Sequence, residues 1–187
     1  GPLMPSTFNL FKDLHALTVL ILLITGCDIY KAPDECSEVF KDRSDLLSNF
    51  SIAAPGLVTI DDSSILWSRC PAGMQFKEPQ SCIGEQLLLN FDQAQIYAME
   101  TAEKSGQNIR LPTTDEMDSI SESKCINPAL NLNIFPSSIS DNHWTSNENI
   151  SRRNVACVFY TFQGRKSCLE PKEMQHPFML VIESDPF

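Results

Sequence analysis

Seven cysteines have the widest chemical reach in this 187-residue chain: Cys27, Cys36, Cys70, Cys82, Cys125, Cys157 and Cys168. A thiol serves as a nucleophile beside a His, as a zinc ligand, as an acyl acceptor, or as half of a disulfide. Zinc needs clustered ligands. The chain has no CxxC or HxxxH spacing, and its three His (His15, His143, His176) are scattered, so neither a metal nor a cofactor is expected. Gly-x-Ser-x-Gly, His-Glu-x-x-His and phosphate-loop patterns are absent from the sequence too. The adjacent acids Asp61-Asp62 and Asp115-Glu116 read as a turn and a helix first turn, where carboxylates sit without doing chemistry. No catalytic residue is assigned, and the chain reads as a non-enzyme.

Cys27 stands apart from the other six. Ala16 to Ile24 is nearly pure hydrocarbon, about half of the roughly 20 residues a bilayer-crossing helix needs and suited to the core of a secretion signal. Gly1-Pro2-Leu3 ahead of Met4 reads as the remnant of a cleaved tag, so residues 1–3 are set aside. Ile24-Thr25-Gly26-Cys27 resembles the bacterial lipobox. That resemblance implies a signal peptide over 4–26, cleavage before Cys27, and acylation of its thiol. Asp28, directly after the acylated Cys, resembles the sorting residue of lipoproteins kept at the inner membrane. The expected location is therefore the periplasmic side of that membrane, with the outer membrane as alternative, and membrane contact through the lipid anchor only.

Six cysteines remain, an even number suited to a compartment where disulfides persist. In "ACVFYTFQGRKSC" a β-branched and aromatic run precedes a turn at Gly164, and pairing Tyr160 with Arg165 sets Cys157 opposite Cys168. In "CPAGMQFKEPQSC", Pro71, Gly73 and Pro79 oppose regular structure, so Cys70 to Cys82 is the simplest closure. Cys36 and Cys125 then pair by elimination, stapling the N-terminal segment to the rest.

The elements that position these residues follow from periodicity. Residues 27–34 form a polar tether. Over 35–52, Cys36, Val39, Phe40, Arg43, Leu47 and Phe50 recur at steps that predict an amphipathic helix with its Cys on the apolar face. A domain over 53–187 opens with a hairpin, Leu57 to Ile60 and Ile65 to Trp67 about the turn Asp61 to Ser64. Asn90 with Gln93, and Thr113 with Glu116, are capping-box patterns that open two helices, "FDQAQIYAMETAEKSG" and "TDEMDSISES". Cys125 to Trp144 has no period and reads as a long loop, after which "NVACVFYTFQGRKSC" and "PFMLVIE" supply strands. The pattern is α+β, helices packed on an antiparallel sheet and braced by disulfides.

"GLVTIDDSSILWSRCPAG", "IRLPTTDEM", "CINPALNLNIFP", "HWTS" and "PFMLVIE", in that order and spacing, resemble the bacterial domain family typified by the C-terminal domain of the Legionella collagen-like protein. The resemblance runs from about Leu57 to Glu183. It implies a C-type-lectin-like fold: two helices beside a small antiparallel sheet, with a long irregular loop region. Many relatives carry an aromatic residue where this chain has His143.

Arg110, between the two helices, reads as an internal clamp on Glu116. Calcium-dependent sugar binding in this fold uses Glu-Pro-Asn or Gln-Pro-Asp in the long loop and Trp-Asn-Asp on the next strand. Here Glu78 to Gln80 precedes both helices and the strand reads Trp144-Thr145-Ser146, so that chemistry is not expected. Trp67 reads as core. The loop from Ser137 to Arg153 is the expected contact surface, with Trp144 as anchor and Asn147, Glu148, Arg152 and Arg153 around it. A net charge of −10 repels nucleic acid and attracts a cationic partner. The expected function is recognition of a macromolecule, a protein in the first instance, as when an immunity lipoprotein neutralises a basic exported enzyme. A surface adhesin that binds glycan is the alternative.

Overall fold

The computed structural model describes residues 31–41, 49–61 and 63–183. Cys27, Asp28 and the signal segment lie outside the described residues. In chain order the elements are β1 (Asp34–Glu35), α1 (Cys36–Val39), β2 (Phe50–Ala54), β3 (Leu57–Ile60), β4 (Ile65–Ser68), β5 (Met74–Lys77), β6 (Ser81–Gly84), α2 (Phe91–Ser105), β7 (Asn108–Arg110), α3 (Thr114–Ser119), β8 (Cys125–Ile126), β9 (Asn142–Glu148), β10 (Val155–Tyr160), β11 (Arg165–Pro171) and β12 (Val181–Glu183). Among the described residues these strands form a five-stranded sheet in the order β2-β3-β4-β12-β7, a three-stranded one β11-β10-β9, the hairpin β5-β6, and the short parallel pair β1-β8. This is a small α+β domain braced by disulfides.

Both capping boxes form. Asn90 accepts from the Gln93 backbone while Gln93 reaches back to Asn90, and α2 ends at Gly106 in the left-handed region, φ 68°. Thr113 and Glu116 make the same reciprocal pair at α3. That second helix is shorter than its polar tail suggested, because Ile120 turns into the core and Ser121 bridges to Leu130.

The helix expected over 35–52 requires correction. In the described parts of this stretch Cys36–Val39 is helical, and Arg43 and Leu47 lie outside the described residues. Phe50 belongs to β2, where it pairs with Ile60 and packs edge-on against Phe135 at 5.8 Å. Non-local pairing thus overrides the local apolar spacing. Gly56, at φ 81°, makes the return into β3, and a side chain there would press on Phe76.

β10 organises the interior. As the middle strand of its sheet it is covered on both faces: Ala156 and Val158 join Phe91, Leu111, Trp144 and Phe178 on one side, while Phe159 joins Trp67, Met117, Phe135 and Met179 on the other. This is the two-residue alternation of a strand applied to two cores. A third, small cluster holds Cys36, Phe40 and Cys125.

Three disulfides join Cys36 to Cys125, Cys70 to Cys82 and Cys157 to Cys168, with Cα separations of 4.9, 5.8 and 3.8 Å. Tyr160 pairs with Arg165 and Val158 with Ser167, but the register slips at Cys157, so Cys168 and Leu169 share the space opposite it. The bridge therefore sits in a bulge rather than a regular pair, and Leu169 is turned outward. β9 is also irregular at this level.

Candidate functional site

The Arg110 to Thr114 segment is bound on every side by the fold. Arg110 Nη1 and Nη2 donate to Glu116 Oε2 and Oε1 at 2.8 and 2.7 Å, and Nε donates to Glu183 Oε1 at 2.6 Å. The hydrogen bonds from Arg110 hold the Glu116 carboxyl below its ordinary range, against the opposing effect of burial, and the Thr113 backbone N–H adds to the lowering. Leu111 is buried. The carbonyl of Pro112 accepts from Ser146 N at 2.8 Å, and Asn147 Oδ1 accepts from Thr114 N at 2.7 Å. The irregular part of β9 thereby caps the start of α3, where free N–H groups need acceptors.

Trp144 is not an exposed anchor, and the loop reading of its surroundings is corrected with it. It is fully buried in β9, its Nε1 donating to Leu89 O at 2.8 Å and its ring packed on Phe91 and His176 at 5.4 and 5.0 Å. His176 Nε2 lies 2.6 Å from Glu170 Oε1. Asn147 is committed to α3, and Glu148 accepts from Lys172 Nζ at 2.6 Å. The polar letters around Trp144 suggested solvent, yet Ser146 and Asn147 meet backbone groups of the Pro112–Thr114 segment and Glu148 meets Lys172.

Arg152 and Arg153 are exposed, on the turn between β9 and β10. Asn149 builds that turn: its Oδ1 accepts from Ser151 N and Arg152 N at 3.0 and 3.1 Å, and its Nδ2 donates to Cys168 O at 2.8 Å. Between them Ile150 is 100% exposed, a residue the sequence reading passed over. The signal available was an Asn followed by a lone aliphatic residue in a polar turn.

The motifs thus occupy the cores, the clamp and the cap, in the spacing of a known domain. The Lcl C-terminal domain family matches residues 56–182. This chain belongs to the Lcl C-terminal domain family. No curated protein and no solved structure gives a significant match.

In this Lcl C-terminal domain, other signature residues also serve the fold. Arg69 Nε and Nη2 donate to the carbonyls of Ile134 and Asn133 at 2.8 and 2.9 Å, and its guanidinium lies over the Phe76 ring. Leu130, Ile134 and Phe135 of the Asn-Pro-Ala-Leu-Asn-Leu-Asn-Ile-Phe-Pro run are buried. Every cysteine among the described residues is in a disulfide. No group of His, Cys, Asp and Glu among them could hold a metal, and no helix among them is long and apolar enough to cross a membrane.

Two surface features remain in this Lcl domain. A cavity of about 340 Å³ is lined by Phe40, Phe50, Ser119, Ser121, Glu122 and Lys124, with the Glu122 carboxyl raised by burial and Lys124 opposing. On α2, Ile96 and Met99 are about half exposed, one helical turn apart. Asp92, Glu100 and Glu103 are exposed on the same helix, with Lys104 paired to Glu100.

Proposed function

We propose that this protein is a non-catalytic lipoprotein, acylated at Cys27, that faces the periplasm from the inner membrane and binds a protein partner through an acidic surface. In its concrete form it is an immunity-type inhibitor of a basic exported enzyme. The domain is C-type-lectin-like on this reading. Support comes from α2 and α3 beside antiparallel sheets, with a long irregular stretch between β8 and β9.

The observation that carries the binding reading is the outward face of α2. Ile96 and Met99 give an apolar centre and Asp92, Glu100 and Glu103 an acidic rim. Such a face suits a cationic protein, since charge steers the encounter and a desolvated apolar centre supplies the hold. It replaces Trp144 as the expected anchor.

Two measurements test the proposal. Cys27→Ser should abolish labelling by fatty acid, and unchanged labelling would remove the lipoprotein reading. Native protein captured from its own cells after crosslinking should carry a basic protein. I96D/M99D should lose it at an unchanged thermal midpoint. Retention of the partner by that variant defeats the α2 assignment. Capture that is instead displaced by added polysaccharide would replace this function with a glycan-binding adhesin.

A further inference from the structure

The chain is acidic as a whole, yet five of its fourteen Lys and Arg lie within residues 152–172 beside a single acid, Glu170. Lys166 pairs with Asp115 and Lys172 with Glu148. Arg152, Arg153 and Arg165 are exposed. Two of these arginines stand on the β9–β10 turn, next to the most exposed apolar side chain in the described structure, Ile150.

The turn is a firm mount. Asn149 ties its own loop to the carbonyl of Cys168, and the Cys157–Cys168 disulfide joins the strands beneath it. The bond to Cys168 places the neighbouring Leu169, 60% exposed, beside the turn. One exposed aliphatic side chain and two exposed arginines therefore stand on the turn at one end of the three-stranded sheet, with exposed Leu169 on the strand that Asn149 reaches. Ile150 does nothing for the fold, because a fully exposed side chain gains no burial.

We propose that this tip, Ile150 and Leu169 with Arg152 and Arg153, is a docking site for an anionic phospholipid surface. Phosphate headgroups match the forked guanidinium, and the boundary between headgroup and acyl chain takes in single protruding apolar side chains. A protein partner would have to supply a fitted recess for each aliphatic group. A dissolved polyanion would satisfy the arginines and leave Ile150 in water. The bilayer interface meets both demands at once. The site stands on the tip alone and needs neither the acyl group on Cys27 nor the α2 face.

The full chain should be mixed with vesicles of phosphatidylcholine alone and with vesicles of phosphatidylcholine and phosphatidylglycerol in roughly equal parts. The readout is the preference for anionic over neutral vesicles, compared between the chain and its tip variants so that any contribution of the N-terminal segment cancels, together with hydrogen exchange at residues 149–154 and 168–169. Anionic vesicles alone should slow exchange there. Each arginine near such a surface is worth roughly fivefold, so R152E/R153E should lower the preference by more than about tenfold, and I150D should lower it while folding normally. Unchanged exchange at the tip overturns the proposal. So does a preference that survives R152E/R153E, or protection obtained only with a soluble polyanion or an acidic protein.

Discussion

Arg110 and Glu116 meet as a two-point pair, Nη1 to Oε2 at 2.8 Å and Nη2 to Oε1 at 2.7 Å, and the third nitrogen of the same guanidinium reaches Glu183. One planar cation thus ties β7 to the first turn of α3 and to β12. Glu116 in turn accepts from the Thr113 backbone, so the clamp and the helix cap share one carboxylate.

Replacing Arg110 with Ala should therefore cost about 1.5–3 kcal/mol, the range for losing hydrogen bonds to a charged group. Arg110→Lys should recover only part of it, because an ammonium cannot engage both carboxylate oxygens in the same plane. Urea denaturation of the three proteins measures both. The Glu116 contribution is present above its unfolded value near 4.5 and is lost as pH falls through its lowered folded value, so the acid limb should flatten in Arg110→Ala.

Trp144→Ala should destabilise the domain by about 3–5 kcal/mol, the usual range for removing a buried Trp. Trp144→Phe keeps much of the ring contact with Phe91 and leaves the Leu89 carbonyl without its indole donor, at about 1 kcal/mol. Thermal and chemical unfolding separate the two variants.

His143 is wholly buried; its Nδ1 lies 3.1 Å from the Asp141 carbonyl, and its Nε2 has no partner. Burial lowers its pKa to about 4, the Asp141 carbonyl and charge oppose that shift, and His176 adds to it. The neutral ring is the folded form, so its stability contribution is complete above pH 6.5 and falls as pH drops from 6.5 towards 4. Between pH 7 and 5 the loss should be about 2 kcal/mol. His143→Phe should remove that slope in denaturation curves taken at the two pH values.

The disulfides should rank by the chain they close. Cys36–Cys125 spans 89 residues and Cys157–Cys168 spans 11. In the loop-entropy picture the first is worth about 4–5 kcal/mol and the second about 3. Paired Cys→Ser replacements, compared by midpoint, should keep that order.

Much of this was legible in short stretches. Asn90 with Gln93 and Thr113 with Glu116 announce their helices because a cap is a local arrangement, complete within four residues. The Cys157 to Cys168 pairing followed from one turn, although the bulge did not. What stayed hidden depends on distant partners. "HWTSNEN" looks like a solvent loop until Ser146 finds Pro112 and Asn147 finds Thr114, 33 residues earlier. Phe50 looks helical until it pairs with Ile60. The candidate surface divided along the same line: Trp144 and Asn147 are engaged inside the fold and Glu148 is held by Lys172 at its surface, whereas Arg152 and Arg153 stand exposed on the turn.

The bond between Cys36 and Cys125 also fixes how the domain bears a pull. Tension entering from the N-terminal side reaches Cys36 and crosses directly to Cys125 through sulfur, leaving residues 37–124 off the path of the load. The whole five-stranded sheet except β12 lies within that bypassed stretch, as do α2 and α3. The covalent path from that bond to the β9–β10 turn is residues 125–148. Reduction would place the bypassed chain in series, so that its elements bear the load and their unfolding under tension would yield a contour on the order of 300 Å.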